Sequence, residues 1–172
     1  ELWLYRALNG RTIVFSKDIA EKSTTLTYGY DVALGIASII GKETAFGEAF
    51  HITSDESYTW KEILEIYLDT IEKKTGMRPK VLLLDKSPHL EWIGAKWQVI
   101  LDRYYNRRFD NSKIQQYIDT SQFVRTESGL ISCLESFLCH PQFKKMGWGI
   151  QGTYDRITGE WAPLSEISII KD

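Results

Sequence analysis

The sequence predicts an α/β fold, in which amphipathic helices alternate with a few short strands to form a mixed α+β fragment. Apolar residues recur at helical spacing in residues 31–40, 59–75 and 126–138. Short β-rich runs separate these helices, which is typical of a mixed fold, but the strands are too few for a complete doubly wound sheet. The 172 residues, 43% of them hydrophobic, suffice for one domain or for a large fragment of one.

The first part of the chain is expected to alternate between helix and extended structure. Residues 2–8 are interpreted as the end of a helix, because the turn pair Asn9-Gly10 follows them. A strand is expected over residues 11–16, a polar loop over 17–24 and a second extended segment over 25–28. Since the sequence starts at Glu1 without a Met and is apolar from Leu2 onward, we interpret it as cut from a longer polypeptide.

The helix from Asp31 is expected to end at Gly41, where the sequence offers a C-terminal cap. Its buried face is predicted to consist of Val32, Ala33, Ile36, Ala37 and Ile40. A compact strand over residues 49–52 follows it. His51 in this strand is expected to be a core histidine rather than a catalytic residue.

The strongest local signal is a capping box at Thr59 and Glu62, in which each side chain bonds a backbone amide of the first helical turn. It starts a helix that ends at Thr75-Gly76. The apolar stripe of this helix is formed by Trp60, Ile63, Leu64, Tyr67, Leu68 and Ile71.

The second half of the chain is predicted to contain a strand at 80–84 and a long helix over 91–105. The inward residues of this helix are expected to be Trp92, Trp97, Ile100 and Leu101. A shorter helix is expected from Asp110. Another helix, capped by Thr126, is expected to end before His140-Pro141, because a residue that precedes proline resists helical geometry. Its apolar face comprises Leu130, Ile131, Leu134, Phe137 and Leu138. Residues 154–161 are interpreted as a small hairpin.

Composition excludes several classes of function. A formal net charge of −2 and a pI near 6.0 give no basic field for nucleic acid. The apolar runs are too short to cross a bilayer, so no membrane partner is expected. Cys133 and Cys139 are expected to be buried thiols in a reducing cytoplasm. Neither a zinc-type cluster nor any other metal site is recognisable.

Three segments together resemble the extended short-chain dehydrogenase/reductase family, in particular its NAD-dependent sugar-nucleotide epimerases and dehydratases. The first is Thr-Leu-Thr-Tyr-Gly-Tyr-Asp-Val-Ala at 25–33, and the second is Gly-Glu-Ala-Phe-His-Ile-Thr at 47–53, followed by the capped helix. The third is Phe-Asp-Asn-Ser-Lys-Ile at 109–114, with His-Pro-Gln at 140–142 downstream. Their order and spacing carry the resemblance, which covers residues 1–145.

The resemblance implies the carboxyl-terminal, substrate-binding part of an extended Rossmann-type epimerase. Residues 1–145 would form this part, and the glycine- and aromatic-rich residues 146–172 would be a tail that packs on it. The full-length protein would bind NAD or NADP in an amino-terminal cofactor domain, and it would serve sugar-nucleotide or surface-polysaccharide metabolism in the cytoplasm. Family chemistry needs a Tyr-x-x-x-Lys, and none occurs among the nine tyrosines. No catalytic residue and no cofactor are therefore expected in this chain.

A literal G-x-G-x-x-G stands at residues 147–152, from Gly147 to Gly152. It follows no predicted strand, and it leads into the predicted hairpin rather than into a helix. Because the motif binds a dinucleotide only in a strand–turn–helix context, it is not interpreted as a cofactor site.

A nucleoside diphosphate requires basic side chains near its phosphates, because charge-assisted hydrogen bonds offset the lost hydration. The candidate substrate-binding residues are Arg103, Arg107, Arg108, Lys113 and Tyr28. The alternative for the basic residues is a solvated surface. Two threonines, Thr24 and Thr25, stand where many family members have a phosphate-binding arginine, which leaves the substrate open.

Asp31 and Asp110 are interpreted as structural, since a carboxylate suits a helix amino terminus. Two other functions stay open. A non-catalytic carbohydrate-binding module would use Trp148, Tyr154 and Trp161 for stacking on sugars, unless these rings seal the core edge. A ligand-sensing relative of the family would keep the fold without turnover.

Overall fold

The computed structural model describes residues 2–91, 93–143 and 146–167, and it contains short strands among more numerous helices. The helices are α1 (Leu2–Leu8), α2 (Lys17–Ala20), α3 (Gly29–Ile39), α4 (Trp60–Thr75), α5 (Ile93–Gln98), α6 (Thr126–Cys139), α7 (Trp148–Thr158) and α8 (Leu164–Ile167). The strands are β1 (Ile13–Ser16), β2 (Ser23–Thr24), β3 (Tyr58–Thr59) and β4 (Val81–Leu84). Single 3₁₀ turns lie at Glu43–Ala45, Pro88–Leu90, Ile114–Gln116 and Thr120–Gln122, and a π turn covers Val99–Arg103.

The strands form two small sheets. β1 pairs with β4 in parallel, with Ile13 opposite Val81, and β2 pairs with β3 in antiparallel fashion. Helix α4 lies between β3 and β4 in the chain and packs against α6. This arrangement confirms the predicted mixed class of helices with a few short strands.

The main core lies where α1, β1, α4 and α6 meet. Its buried members are Leu4, Ala7, Ile13, Leu64, Leu68, Ile71 and Leu134. The α4 members recur at helical spacing, as the sequence predicts, because one stripe of the helix faces the core.

The capping box is also confirmed: the Glu62 backbone N–H donates to Thr59 Oγ1 at 3.1 Å, and the Thr59 backbone N–H donates to Glu62 Oε2 at 2.7 Å. Gly76 ends α4 in the left-handed conformation.

A fully buried arginine joins the two ends of the described chain. Arg6 of α1 forms an ion pair with Asp155 of α7, and its Nη2 donates to Thr158 Oγ1 at 2.8 Å. Its Nε donates to the Thr12 carbonyl oxygen at 2.8 Å. Helix α7 also buries Ile150 and Tyr154 against Val14 of β1. The domain division at residue 145 stays a prediction, but α7 is packed into the interior.

The predicted hairpin at 154–161 is wrong, because residues 148–158 form α7. Ile150 and Tyr154 are buried one helical turn apart, and Gly159 in the left-handed conformation caps the helix. The glycine motif therefore does lead into a helix, contrary to expectation. Gly149 and Gly152 lie inside α7 and not in a loop, so they do not form a phosphate-binding turn.

The single helix predicted over 91–105 is also wrong. A 3₁₀ turn, α5 and the π turn take its place. Trp97 and Leu101, predicted to point inward, are 60% and 70% exposed, whereas Val99 is buried. Ile100 is half-buried, and Trp92 lies outside the described residues.

Other local predictions also fail. The loop predicted over 17–24 contains α2 and β2, and residues 25–28 and 49–52 are not strands. His51 is exposed rather than part of the core. Both cysteines are exposed free thiols rather than buried ones, because they lie on the outer side of α6. Residue 125 rather than Thr126 is the N-cap of α6, and the helix ends at Cys139 as predicted.

The predicted buried face of α3 is largely exposed. Ala33, Ile36, Ala37 and Ile40 face outward, and the helix is instead buried at Asp31 and at Gly35. Asp31 does not cap the helix, since Tyr28 is the N-cap.

The buried Arg6–Asp155 pair gives the first testable prediction. Replacing Arg6 with Ala is expected to lower the free energy of unfolding by about 3–5 kcal/mol, because it leaves Asp155 buried without a counter-charge. Urea denaturation followed by circular dichroism measures this. The control is Arg78→Ala, which removes the solvent-exposed pairs of Arg78 with Glu65, Asp69 and Glu72 and is expected to cost less than about 1 kcal/mol. Equal losses would contradict the assigned role of Arg6.

The capping box gives a second prediction. Thr59→Ala is expected to lower the free energy of unfolding by about 1 kcal/mol, whereas Thr59→Ser retains the hydroxyl and most of the stability.

The hydrogen bonds from the Thr59 backbone and side chain lower the pKa of Glu62. The stability that these hydrogen bonds contribute is therefore present above pH 4.5, the ordinary pKa of a glutamate, and it is lost as the pH falls through the lower pKa of Glu62 in the folded state. In Glu62→Gln this part of the pH dependence should disappear, because the variant lacks the titrating carboxyl group. Urea denaturation between pH 3 and 7 measures the free energy of unfolding of both proteins.

Candidate functional site

A cavity of about 490 Å³ opens beside the main core, between α1, β1, the start of α4 and the π turn. Its volume lies within the range of about 300–1,000 Å³ that is common for small-molecule sites. Most of the wall is apolar and aromatic, which suits the ring of a ligand. The apolar lining includes Leu2, Trp3, Val14, Phe15, Ile63, Tyr67 and Val99.

Arg103 is the charged residue of the cavity lining. Its guanidinium carbon lies 4.1 Å from the centroid of the Trp60 ring, which is a close cation–π stack. Burial lowers the pKa of Arg103, the negative charge of Asp102 opposes this, and the positive charge of Arg107 adds to it. A partly desolvated guanidinium favours an anionic ligand, because charge-assisted hydrogen bonds replace its lost hydration.

Trp60 owes its position to the start of α4. It is the first residue after the Thr59 cap, and its backbone N–H donates to the Lys22 carbonyl oxygen at 3.0 Å. The indole Nε1 is buried and has no hydrogen-bond partner in residues 2–91, 93–143 and 146–167. The cavity wall thus contains a ring that carries an unused donor and holds Arg103 on its face.

A neutral hydrogen-bonded pair lies on another part of the wall. The Tyr154 hydroxyl and His89 Nε2 are 2.8 Å apart. Burial, and secondarily the charge of Arg103, lower the pKa of His89. Burial also raises the pKa of Tyr154 to about 12. Both side chains are therefore uncharged near neutral pH, and Arg103 supplies the positive charge of this wall.

The other predicted basic residues have different surroundings. Arg107 forms an ion pair with Asp102 at 2.6 Å and donates through Nη2 to Thr24 Oγ1 at 2.5 Å. Its backbone N–H donates to the Ser23 carbonyl oxygen at 2.9 Å, so Arg107 fastens the chain after the π turn to β2. Lys113 is paired with Glu48 on the surface, where its Nζ lies 5.1 Å from the Phe50 ring centroid.

Arg108 lines a second, more polar cavity of about 300 Å³. The other lining residues are Thr25, Ser54, Asp55, Ser57 and Phe109. Arg108 itself is exposed. The structure therefore places Arg103 and Arg108 at cavities and places Arg107 and Lys113 in intramolecular ion pairs. Arg103 also has an ion pair, since its Nε lies 3.6 Å from Asp102 Oδ2.

Tyr28 and the two predicted structural aspartates hold neighbouring segments together. The Tyr28 ring packs against Gly129 of α6, where an added Cβ would lie 3.4 Å from the ring. The buried Asp31 carboxylate accepts the Val124 backbone N–H at 2.9 Å. Asp110 accepts the backbone N–H of Ser112 at 2.8 Å and closes a turn rather than starting a helix. This hydrogen bond and that of the Ser112 hydroxyl lower the pKa of Asp110.

Sequence reasoning missed the role of Trp60 and the presence of His89. The sequence predicts Trp60 as part of the buried stripe of α4, whereas the structure places it in the cavity wall. The signal in the sequence was its position directly after the N-cap, at the end of the helix. His89 has no recognisable local signal. No group of three His, Cys, Asp or Glu in the described part of the chain is placed to hold a metal ion. No helix within residues 2–91, 93–143 and 146–167 is long and apolar enough to cross a membrane.

The charge next to His89 gives a third prediction. The folded chain favours the neutral ring, so the stability that it contributes is present above 6.5, the ordinary pKa, and is lost as the pH falls through the lowered value. Replacing Arg103 with Met is expected to raise the pKa of His89, which should stay below 6.5 because burial remains. NMR titration of the imidazole signals measures both values, with Arg78→Met as the control. An unchanged His89 pKa in Arg103→Met would show that the two side chains do not interact.

Comparison with known proteins relates this architecture to an enzyme fold. No protein-family model matches the sequence, and no curated protein matches it either. Among solved structures, UDP-glucuronic acid 4-epimerase from Bacillus cereus in complex with UDP-glucuronic acid and NAD aligns with a TM-score of 0.53 at 17% identity, over 78% of this chain and 38% of that one. The NAD complex of the same enzyme gives 0.52 and 18%, over 78% of this chain and 37% of that one.

The chain thus spans about 38% of the length of the epimerase structure that it matches. At this level of identity the likeness establishes a common fold. The chain has the fold of part of a Rossmann-type epimerase, as its sequence predicts.

Proposed function

We propose that this chain forms the sugar-nucleotide-binding part of an NAD-dependent epimerase or dehydratase. The observation that carries the proposal is the Arg103–Trp60 stack in the wall of the 490 Å³ cavity. The common fold with part of an epimerase that was solved with UDP-glucuronic acid supports it.

The cavity suits the chemistry of a nucleoside diphosphate. Such a ligand combines a planar base with two adjacent phosphates, and it therefore needs an apolar or aromatic wall next to fixed positive charge. The aromatic wall offers contact to the base, and the guanidinium of Arg103 offers two parallel donors to a phosphate. Arg108, exposed at the second cavity, is available to a more distant part of the ligand, such as its sugar.

The redox step belongs to a separate part of the protein in this proposal. Oxidation of a sugar hydroxyl needs a bound nicotinamide, which takes the hydride from the carbon that bears the hydroxyl, and a tyrosine, which takes the hydroxyl proton. This sequence contains no Tyr-x-x-x-Lys, and the glycines of residues 147–152 do not form a cofactor loop. NAD or NADP would accordingly bind in an amino-terminal cofactor domain, and the cytoplasm would supply both cofactor and nucleotide sugar.

A carbohydrate-binding module is less well supported by the geometry. Tyr154 is buried and hydrogen-bonded to His89, and Trp148 makes an edge contact with the Tyr5 ring, whose centroid is 5.9 Å away. Trp161 is 65% exposed, so it is the ring of this group that is open to a sugar. A ligand-sensing relative would differ from the proposed enzyme only in the absence of turnover by the full-length protein.

The proposal gives a fourth prediction, for the 172-residue chain in isothermal titration calorimetry. UDP-glucuronic acid is expected to bind weakly, with a Kd of about 0.1–1 mM, because the chain offers one side of the cleft. Arg103→Ala is expected to weaken binding about 10-fold or more, since it removes the half-buried guanidinium that would bind a phosphate. UDP should compete, because the nucleotide makes the main contacts.

The matched control is Arg78→Ala, which removes an exposed arginine that follows α4 and pairs with Glu65 of that helix, and it is expected to leave Kd unchanged. Absence of UDP-glucuronic acid and UDP binding would contradict the proposal. Binding of free glucuronic acid with the same affinity, lost in Trp161→Ala, would favour the carbohydrate module instead. Tight binding of NAD by the chain alone would contradict the proposed division of roles.

A further inference from the structure

The wall of the 490 Å³ cavity contains a histidine to which the proposed function gives no role. His89 belongs to the 3₁₀ turn Pro88–Leu90 and is half-buried. Its Nε2 lies 2.8 Å from the Tyr154 hydroxyl, and the two rings meet edge to face with their centroids 6.1 Å apart. Arg103 lines the same cavity. One wall thus combines a permanent cation with a hydrogen-bonded pair whose protonation state can change.

The fold fixes the position of this histidine. The Ser87 backbone N–H, at the start of the turn, donates to Asp18 Oδ2 at 2.9 Å, and the same oxygen accepts the Tyr104 hydroxyl at 2.9 Å. Tyr154, which bonds the imidazole, is buried in α7. The arrangement of the pair is therefore set by the chain itself and is present before a ligand binds.

The charged groups around the turn differ in their effect on His89. Burial lowers the pKa of His89, and the positive charge of Arg103 lowers it further. Asp102 pairs with both Arg103 and Arg107, so it neutralises neither guanidinium completely. Further ionisable groups of the surrounding elements are Asp18 and Tyr104, which bond each other, Arg6, which pairs with Asp155, Lys96, which lies over the Trp97 ring, and Glu91, which follows the turn.

Protonation of His89 would reverse its hydrogen bond with Tyr154. Nε2 of a neutral ring can accept the hydroxyl hydrogen, whereas a protonated imidazole donates from both nitrogens. Nε2 would then donate to the Tyr154 oxygen, and the hydroxyl hydrogen would be released for another acceptor. Because Tyr154 lines the cavity, an anion bound there supplies that acceptor.

We propose that a diphosphate bound at Arg103 draws a proton onto His89, and that His89 and Tyr154 then hold the anion together with Arg103. The inference rests on the proposed function, since it concerns the same cavity and states how binding there responds to pH. The two negative charges of a diphosphate outnumber the single charge of the guanidinium. The net charge beside the imidazole therefore changes from positive to negative, which favours the protonated ring.

A second effect of the ligand opposes the first. A bound ligand excludes water from the half-buried ring, and desolvation favours the neutral imidazole. The charge is expected to dominate, because the free chain already withdraws part of the ring from water, whereas the negative charge is new. Affinity is then highest below the pKa of His89 in the free chain, and it falls as the pH rises through the higher pKa of His89 in the complex.

NMR titration of the imidazole signals, with and without saturating UDP-glucuronic acid, tests the inference. The pKa of His89 is expected to be higher in the complex, and the Kd measured by calorimetry is expected to rise about 3-fold or more between pH 5.5 and 7.5. The ligand suits this range because neither its fully substituted phosphates nor its carboxylate titrates there. A His89 pKa that stays constant or falls on binding would overturn the inference.

Matched histidine variants assign the proton. His89→Gln retains a side chain that can bond Tyr154 but cannot titrate, so its Kd should be independent of pH over the same range. The proton uptake, measured from binding heats in two buffers of different ionisation enthalpy, should also vanish. The control is His51→Gln, which removes an exposed histidine outside the cavity lining and should keep the pH dependence of the unmodified chain. A pH dependence that survives in His89→Gln would contradict the assignment.

Tyr154→Phe separates the reversed hydrogen bond from a structural role of the ring. The variant is expected to weaken binding at pH 5.5, where the released hydroxyl hydrogen would bond the ligand, and to change Kd little at pH 7.5. Equal weakening at both pH values would show that Tyr154 acts only through packing, and it would overturn this part of the inference.

Sulfate distinguishes the inference from the proposed function, because it is an anion that does not titrate in this range and has neither base nor sugar. At an ionic strength held constant with sodium chloride, sulfate is expected to raise the pKa of His89 in the unmodified chain but not in Arg103→Met. This rise without any binding of UDP-glucuronic acid would reject the proposed function alone. Binding of UDP-glucuronic acid with an unchanged His89 pKa would reject the inference alone.

Discussion

The structure depends on one buried charge that links residues far apart in the chain. Arg6 carries a full positive charge into the interior, and Asp155 of α7 neutralises it. The ion pair holds α1 and α7 together, and both helices contribute to the cavity wall, through Leu2 and Trp3 on one side and Tyr154 on the other. The pairing of a charge that is costly to bury therefore holds two parts of the cavity wall together.

The second determinant of the cavity is the beginning of α4. The capping box fixes the first turn, and this places the Trp60 ring where Arg103 stacks on it. The π turn that ends in Arg103 supplies the cation from the opposite side, and Arg107 fastens the following segment to β2. Local backbone hydrogen bonds thus position the two side chains on which nucleotide binding would depend. The neutral His89 leaves the positive charge of this wall to Arg103.

Features that depend on neighbouring residues could be predicted from the sequence, whereas features that depend on distant partners could not. The capping box at Thr59 needs a contact only three residues away, so its sequence signal was sufficient. The role of Lys113 depends on Glu48, 65 residues away, and that of Arg107 on Thr24, 83 residues away. No pattern along the chain indicates such pairs. The sequence does not predict helix α7, because its glycines are typical of turns. The burial of Ile150 and Tyr154 outweighs the low helix propensity of these glycines.

The same connection between the ends of the chain has a consequence for biosynthesis. Arg6 leaves the ribosome well before its partner, which lies 149 residues later in the chain. Until α7 has emerged, a nascent chain that closed its core would enclose an uncompensated guanidinium, which is strongly unfavourable. The parallel pairing of Ile13 with Val81 is likewise non-local, and such contacts form slowly. The interior can therefore close only after α7 has emerged, and a polypeptide truncated before α7 would stay open to chaperones and proteases.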